Sequence, residues 1–361
     1  MQRTMRGKRV VFFSTPAKGH VNAVYPVLRA LARAGVQVDW YGTEEYRELI
    51  VSCGAAWHSY RIDFSRYRLE ELTADFYRLY RGLLKLNRAC YFDYILEVEA
   101  NPPDVILYDS MCSFAKNIAK KLGIPSVCLC TTLAYNLPTL VFSNLFWPSL
   151  TLSLRHATEL MRLTLKEQCF RRREGLPRFS PLDLFVNRGE RTIVFSPPEF
   201  QPFARSFPPS FVFAGTTVRD RMETDASVES CDIYLSFGSI FAARAGELET
   251  LLESPLFRGK KVIVSAGDAA EELQKRLGRE RLSFVRRTNQ LALLRKTGLF
   301  VNHGGLNSVY ESLYFGVFQI CIPQQEEQRL TALLVEKKKL GLCCPRPRGW
   351  SEAELRRAEL K

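Results

Sequence analysis

Asn302-His303-Gly304-Gly305-Leu306-Asn307-Ser308 is the stretch of this 361-residue chain best suited to hold an anion. An apolar run ends, two glycines turn the chain, and small polar residues open a helix. The first N–H groups of a helix lack intrahelical acceptors and sit at the positive end of its dipole. Glycine lets backbone approach a pyrophosphate closely. His303, Asn307 and Ser308 add side-chain donors. The same residues also describe an ordinary strand-to-helix turn with Asn and Ser as caps. Histidine is scarce, with four in the chain: His20, His58, His156 and His303. His20 follows the apolar run Val10–Thr15. Asp109 closes the run Asp104–Tyr108. Parallel strands would set both at one sheet edge, although a lone histidine and a helix-capping Asp are equally at home there.

These residues need a scaffold, and the pattern supplies one. Val10–Thr15 reads as a buried strand, Val21, Val24, Leu28 and Leu31 as one helix face, and Gly35 as its stop. Strands Val36–Tyr41 and Ala55–Tyr60 flank a helix at Glu44–Ser52. A helical zone over 69–98, strand Asp104–Tyr108, helix Ser113–Leu122 and strand Ser126–Cys130 continue the alternation. Residues 131–190 read as turns and apolar segments with a helix near 153–173, and strands follow at Thr192–Phe195 and Phe211–Phe213. Polar, turn-rich 215–231 reads as a linker. Beyond it, strands are expected at Ile233–Phe237, Lys261–Ser265, Leu282–Val285, Leu299–Asn302 and Phe318–Ile322. Helices are expected near 246–256, 269–277, 291–296, 305–314 and 326–338. The alternation predicts an α/β chain of two Rossmann-like halves, at 1–214 and 232–361. Ligands are expected in the cleft at the carboxyl ends of both sheets.

Composition narrows the function. The 46% apolar fraction excludes a disordered chain. Lys and Arg outnumber Asp and Glu by 51 to 38, a formal charge of +13. The basic residues are scattered, as in Arg171-Arg172-Arg173 and Lys337-Lys338-Lys339. No nucleic-acid signature accompanies them, so no nucleic-acid partner is expected, while a peripheral membrane contact fits the charge. Ten cysteines include no CxxC pair. The expectation is a reducing cytoplasm, with no disulfide framework and no metal site. Residues 122–154 carry no charge, but Pro125, Pro138 and Pro148 argue against a spanning helix.

The sequence resembles the macrolide-type glycosyltransferases, the bacterial branch related to plant and animal UDP-sugar transferases. The resemblance rests on Phe300 through Ser308, then Glu311-Ser312-Leu313, Gly316-Val317 and Ile322 through Gln328. Thr15 through Asn22, with Pro26-Val27-Leu28, resembles the opening motif, and Ile233 through Ser239 the first strand of the second domain. The resemblance implies the GT-B fold, two Rossmann-like domains facing each other across a cleft. It implies transfer of a hexose, glucose by expectation, from a UDP- or dTDP-sugar to a hydroxyl of a small apolar acceptor such as a polyketide or macrolide. His303, Gly305, Asn307, Ser308 and Ser239 would meet the diphosphate. Glu311 would hold the ribose, Gln290 the nucleoside, and Glu327 and Gln328 the sugar. Taken alone, Glu311 and Glu327 read as solvated helix faces. Phe64, Phe76, Tyr77, Tyr135, Phe142 and Trp147 are candidates for acceptor walls. No cofactor is implied beyond the nucleotide sugar as co-substrate, UDP-glucose by expectation.

The implied mechanism makes His20 the general base and Asp109 its partner, with inversion in one displacement. No Asp-X-Asp spacing occurs, so no metal clamp is expected. Three features depart from the pattern: Asn289 replaces a proline, Arg287 replaces a base-stacking aromatic, and the chain stops at Lys361, short of a terminal helix. The rival readings are a lipid glycosyltransferase, a nucleotide-sugar epimerase, a catalytically weak sugar-nucleotide binder and, from charge alone, a nucleic-acid binder.

Overall fold

A computed structural model describes residues 5–64, 76–142, 156–179, 189–222, 228–238 and 245–344. They divide into two compact units, split between Thr217 and Val218. The first carries a seven-stranded sheet of β1 (Arg9–Phe13), β2 (Gln37–Gly42), β3 (Ala56–Ser59), β4 (Val105–Asp109), β5 (Ser126–Cys130), β6 (Arg191–Val194) and β7 (Phe211–Phe213). Their order is β3-β2-β1-β4-β5-β6-β7, with parallel pairing throughout. The helices are α1 (Lys18–Arg33), α2 (Arg47–Ser52), α3 (Phe76–Ala100), α4 (Ser113–Leu122), α5 (Leu137–Phe142) and α6 (Ala157–Glu174).

Parallel strands covered on both faces need apolar residues at every position. Val10–Phe13 meet that demand, all at 4% exposure or less. Phe12 packs edge-on against Trp40, and Phe13 stacks on Tyr41. Each buried ring contributes roughly 1.5–3 kcal/mol. Helix α1 lays Val21, Val24 and Leu28 against this layer. It ends as its sequence dictates: Gly35 takes φ +84°, and the Val36 N–H returns to the Leu31 carbonyl at 3.1 Å.

The second unit repeats the scheme with β8 (Cys231–Ser236), β9 (Val262–Ser265), β10 (Leu282–Val285), β11 (Thr297–Asn302), β12 (Phe318–Cys321) and β13 (Gly341–Cys343). Their order is β10-β9-β8-β11-β12-β13, again parallel. Helices α7 (Ala245–Leu252), α8 (Ala270–Leu277), α9 (Gln290–Leu294), α10 (Leu306–Tyr314) and α11 (Glu326–Lys337) alternate with them. In both sheets the order reverses beside the first strand. That leaves a crevice at the carboxyl ends, between β1 and β4 in one unit and between β8 and β11 in the other.

Several expectations shift. The Glu44–Ser52 helix begins as a 3₁₀ turn, Glu44–Tyr46. The helix expected to run to Leu256 ends at Leu252, and Pro255–Phe257 is a separate 3₁₀ turn capped by the Ser254 hydroxyl. Helix α5 and strand β13 were not expected, being too short to show a period. Cys128, Cys130 and Cys321 lie in the apolar interior as small hydrophobes. Among the described residues no helix is long and apolar enough to cross a membrane.

Candidate active site

The first crevice gathers four polar side chains, three from the ends of adjacent strands and one from α1. β1 lies in register with β4, Phe13 opposite Tyr108, and β4 with β5, Asp109 opposite Leu129. Thr15 therefore follows β1, Asp109 ends β4 and Thr131 follows β5, side by side. His20 comes in from the first turn of α1. Its Nδ1 lies 2.7 Å from Asp109 Oδ2. The other carboxylate oxygen accepts from the Thr15 hydroxyl at 2.6 Å and the Met111 N–H at 2.9 Å. The Thr131 hydroxyl is 2.7 Å from His20 Nδ1 and donates to Asp109 Oδ2 at 3.3 Å. The capping role open to Asp109 is thus only half its work. One oxygen steadies the turn at Met111 and the other holds the imidazole, while α4 itself starts after Cys112 without a side-chain cap.

Electrostatics follow from this geometry. Asp109 is 1% exposed. Burial alone would raise its pKa, but the imidazole of His20, the Thr15 hydroxyl and the Met111 amide together hold it below the usual carboxylate value. An ionised Asp109 demands a proton on Nδ1. That leaves Nε2 as the basic nitrogen, the tautomer that can take a proton from a bound hydroxyl. Sequence reasoning missed Thr15 and Thr131 as site residues. Their signal was positional, since Thr15 stands two residues and Thr131 one residue past the carboxyl end of a central strand.

The second crevice is built around a neutral ring. β11 ends at Asn302, which is fully buried and accepts from the Gly304 N–H at 2.7 Å, shaping the turn. Gly304 takes φ +79°. Gly238, after β8, and Gly305, before α10, hold the His303 ring between them. A Cβ would come within 2.8 Å of the ring at Gly238 and 2.4 Å at Gly305. Burial lowers the His303 pKa to about 4, against the pull of a hydrogen bond to the Ser236 backbone. Its Nδ1 is buried without a hydrogen-bond partner among the described residues. Gly305 precedes α10 in extended backbone and, as glycine, supplies no side-chain cap.

Beside it runs a connected chain of polar groups. The Tyr234 hydroxyl donates to Gln290 Oε1 at 3.2 Å. Gln290 Nε2 contacts Ser308 Oγ at 3.2 Å and donates to Glu311 Oε2 at 2.5 Å. Arg221 Nη1 donates to Glu311 Oε1 at 2.6 Å. The solvated-face reading of Glu311 is overturned: the residue is 4% exposed, because α10 turns it inward toward Arg221 and Gln290. Glu327 is half-buried, and Gln328 is buried with Oε1 accepting from the Gln324 N–H at 2.9 Å. Asn289, in place of the family's proline, caps α9 by accepting from the Ala292 N–H at 3.1 Å. Arg287 is exposed. Arg221 and Tyr234 were not foreseen as site residues.

The residues expected to line an acceptor wall fall at several places along the first unit. Phe64 packs edge-on against Tyr60 and joins the first unit's core. Tyr77 stacks on His156 with centroids 4.5 Å apart. Tyr135 is half-buried just ahead of α5. Phe76 and Phe142 begin α3 and end α5. Trp147 and Ser239 lie outside the described residues.

Comparison with known proteins finds likenesses over most of the chain. Residues 221–344 match the model of the UDP-glucoronosyl and UDP-glucosyl transferase family. The NDP-glycosyltransferase YjiC of Bacillus licheniformis is 29% identical, covering 93% of this chain and 85% of its own length. The oleandomycin glycosyltransferase of Streptomyces antibioticus is 25% identical, covering 88% and 75%. The solved glycotransferase of kitacinnamycin superposes with a TM-score of 0.77 at 21% identity, covering 98% and 90%. The two Rossmann-like sheets and this superposition show the GT-B fold, and the matched relatives show that the chain is similar to NDP-sugar and macrolide glycosyltransferases.

Proposed function

We propose that the protein is an inverting, metal-independent hexosyltransferase. It moves a sugar, glucose as the first candidate, from a UDP- or dTDP-sugar to a hydroxyl of a small apolar natural product. The observation that carries the reading is the His20–Asp109 pair at 2.7 Å, with Thr131 on the same nitrogen. The acceptor O–H gives its proton to His20 Nε2 as its oxygen attacks the anomeric carbon. The bond from that carbon to the diphosphate oxygen breaks, and the nucleoside diphosphate leaves. The ionised Asp109 stabilises the imidazolium formed. Charge gathering on the leaving diphosphate meets the positive end of the α10 dipole and His303 beside it. Glu311 and Gln290 hold the nucleoside, and Glu327 and Gln328 the sugar. The relatives' names support an NDP-sugar donor and an oleandomycin-like acceptor.

The test is a donor and acceptor panel run with EDTA present. The expected product of an α-linked UDP-sugar is the β-glycoside, read by the anomeric proton coupling. An α-glycoside, or turnover that vanishes with EDTA, contradicts the reading.

One feature favours a second reading, transfer to a lipid hydroxyl. A groove of about 740 Å³ between α3 and α6 is lined by Phe92, Met161, Leu165 and Phe170, with Arg162, Lys166 and Arg173 among them. Phe92, Met161 and Leu165 are more than half exposed. An apolar stripe flanked by cations suits a membrane surface. Faster transfer to a vesicle-borne acceptor than to the same headgroup in solution would favour this reading. Equal rates would remove it.

A further inference from the structure

Arg221 stands in the polar stretch that reads as a linker, yet its side chain is only 4% exposed. Its Nη1 spends one hydrogen bond on Glu311 Oε1 at 2.6 Å. Its Nε and Nη2 are buried too, and meet no acceptor among the described residues. Two unmet donors on a buried cation are unfavourable, and a pair kept only for stability would be replaced by apolar residues at little loss. Glu311 is held from the opposite side by Gln290 Nε2, which also touches Ser308 at the start of α10. The carboxylate is therefore fixed in plane, with one donor on each oxygen. Each oxygen keeps a second lone pair.

We propose that Arg221 is a positioning residue that locks Glu311 as a charged acceptor for the ribose hydroxyls, making the donor site prefer ribonucleotides over 2′-deoxyribonucleotides. The inference rests on the donor-site reading of the preceding section. A hydroxyl that donates to a pinned carboxylate gains a charge-assisted bond, and a nucleotide lacking it leaves the buried pair without that donor. Lysine would keep the charge but not the planar fork that fixes the carboxylate's orientation.

The experiment compares UDP, 2′-deoxy-UDP and inorganic pyrophosphate by calorimetry on the wild-type chain and on Arg221→Lys, with a urea melt establishing that the variant is folded. Wild type is expected to bind UDP roughly tenfold tighter than 2′-deoxy-UDP, the effect of one hydrogen bond to a charged group. In Arg221→Lys that ratio should fall below about threefold with pyrophosphate affinity unchanged, since the phosphates do not use Glu311. A folded Arg221→Lys that keeps the full ratio overturns the proposal, as does a wild-type chain that binds UDP and 2′-deoxy-UDP equally. In the wild-type protein, the Arg221 Nε–H resonance should move with UDP and stay with pyrophosphate. An unmoved resonance under saturating UDP overturns the proposal without any variant. A wild-type chain that binds neither UDP nor pyrophosphate is a different failure: it removes the donor site, and the role of Arg221 with it.

Discussion

Past β1 and β4 the first unit sets His20 against an ionised carboxylate, with Thr15 and Thr131 completing the network. At the same topological point of the second unit, past β8 and β11, His303 lies between two glycines with no carboxylate bonded to it among the described residues. The strand order is the same in both places, and the two imidazoles differ in every respect that matters to chemistry. One is hydrogen-bonded to an ionised carboxylate. The other is held neutral by burial, its Nδ1 meeting no partner among the described residues. The topology fixes where a ligand goes, and the side chains just past each strand decide what happens to it.

The largest effect expected from breaking this contrast is at Asp109. Asp109→Asn removes the charge that sets the His20 tautomer, so kcat should fall about 10²–10⁴-fold while the UDP dissociation constant, read by calorimetry, stays within about twofold. A comparable loss of UDP affinity would mean that the two crevices share one role.

A second prediction concerns His303 and pH. Its folded pKa of about 4 lies below the ordinary 6.5, so the unfolded chain binds the proton more tightly. The stability this brings is fully present above pH 6.5 and is lost as pH falls toward 4. Between pH 7 and pH 5 the loss should be about 2 kcal/mol. Urea midpoints on wild type and His303→Asn measure it, and the variant should lack that increment.

Smaller effects follow. His303→Ala should weaken UDP binding roughly tenfold, as expected for one lost hydrogen bond of ~1.5 kcal/mol to a charged group. Because His303 stays neutral, its contribution should be flat from pH 6 to 8, and affinities measured across that range check this. The smallest change is expected at Thr131. Thr131→Val keeps the shape and removes the hydroxyl shared by His20 and Asp109. A loss of about 1 kcal/mol is roughly a fivefold fall in kcat, with UDP affinity unmoved.

Much of this contrast was legible before any coordinates. His20 and Asp109 could be placed at one sheet edge because buried parallel strands announce themselves as apolar runs, and residues just past them share an edge. The glycine turn at Gly304-Gly305 showed itself through composition. Other parts left no such trace. The Thr15 and Thr131 hydroxyls act through contacts 94 and 22 residues away in sequence, which no local period encodes. Arg221 was hidden by its neighbourhood, since a polar, turn-rich stretch reads as solvated even when one residue of it is buried. Glu311 looked like a solvated helix face for want of its partner. The short β13 and α5 hold too few residues to show a period, and are fixed by the sheet and core they join.

The division of labour between the crevices is tested most directly by His20→Ala, with transfer and UDP binding measured on the same preparation. Loss of the base should lower transfer to an alcohol acceptor by about 10²–10⁴-fold. UDP affinity should stay within about twofold of wild type, since the proposed donor contacts are all in the second crevice. Near-normal transfer would put the base at another residue, and loss of UDP binding along with transfer would make His20 part of the nucleotide site and contradict the assignment of proton chemistry to the first crevice.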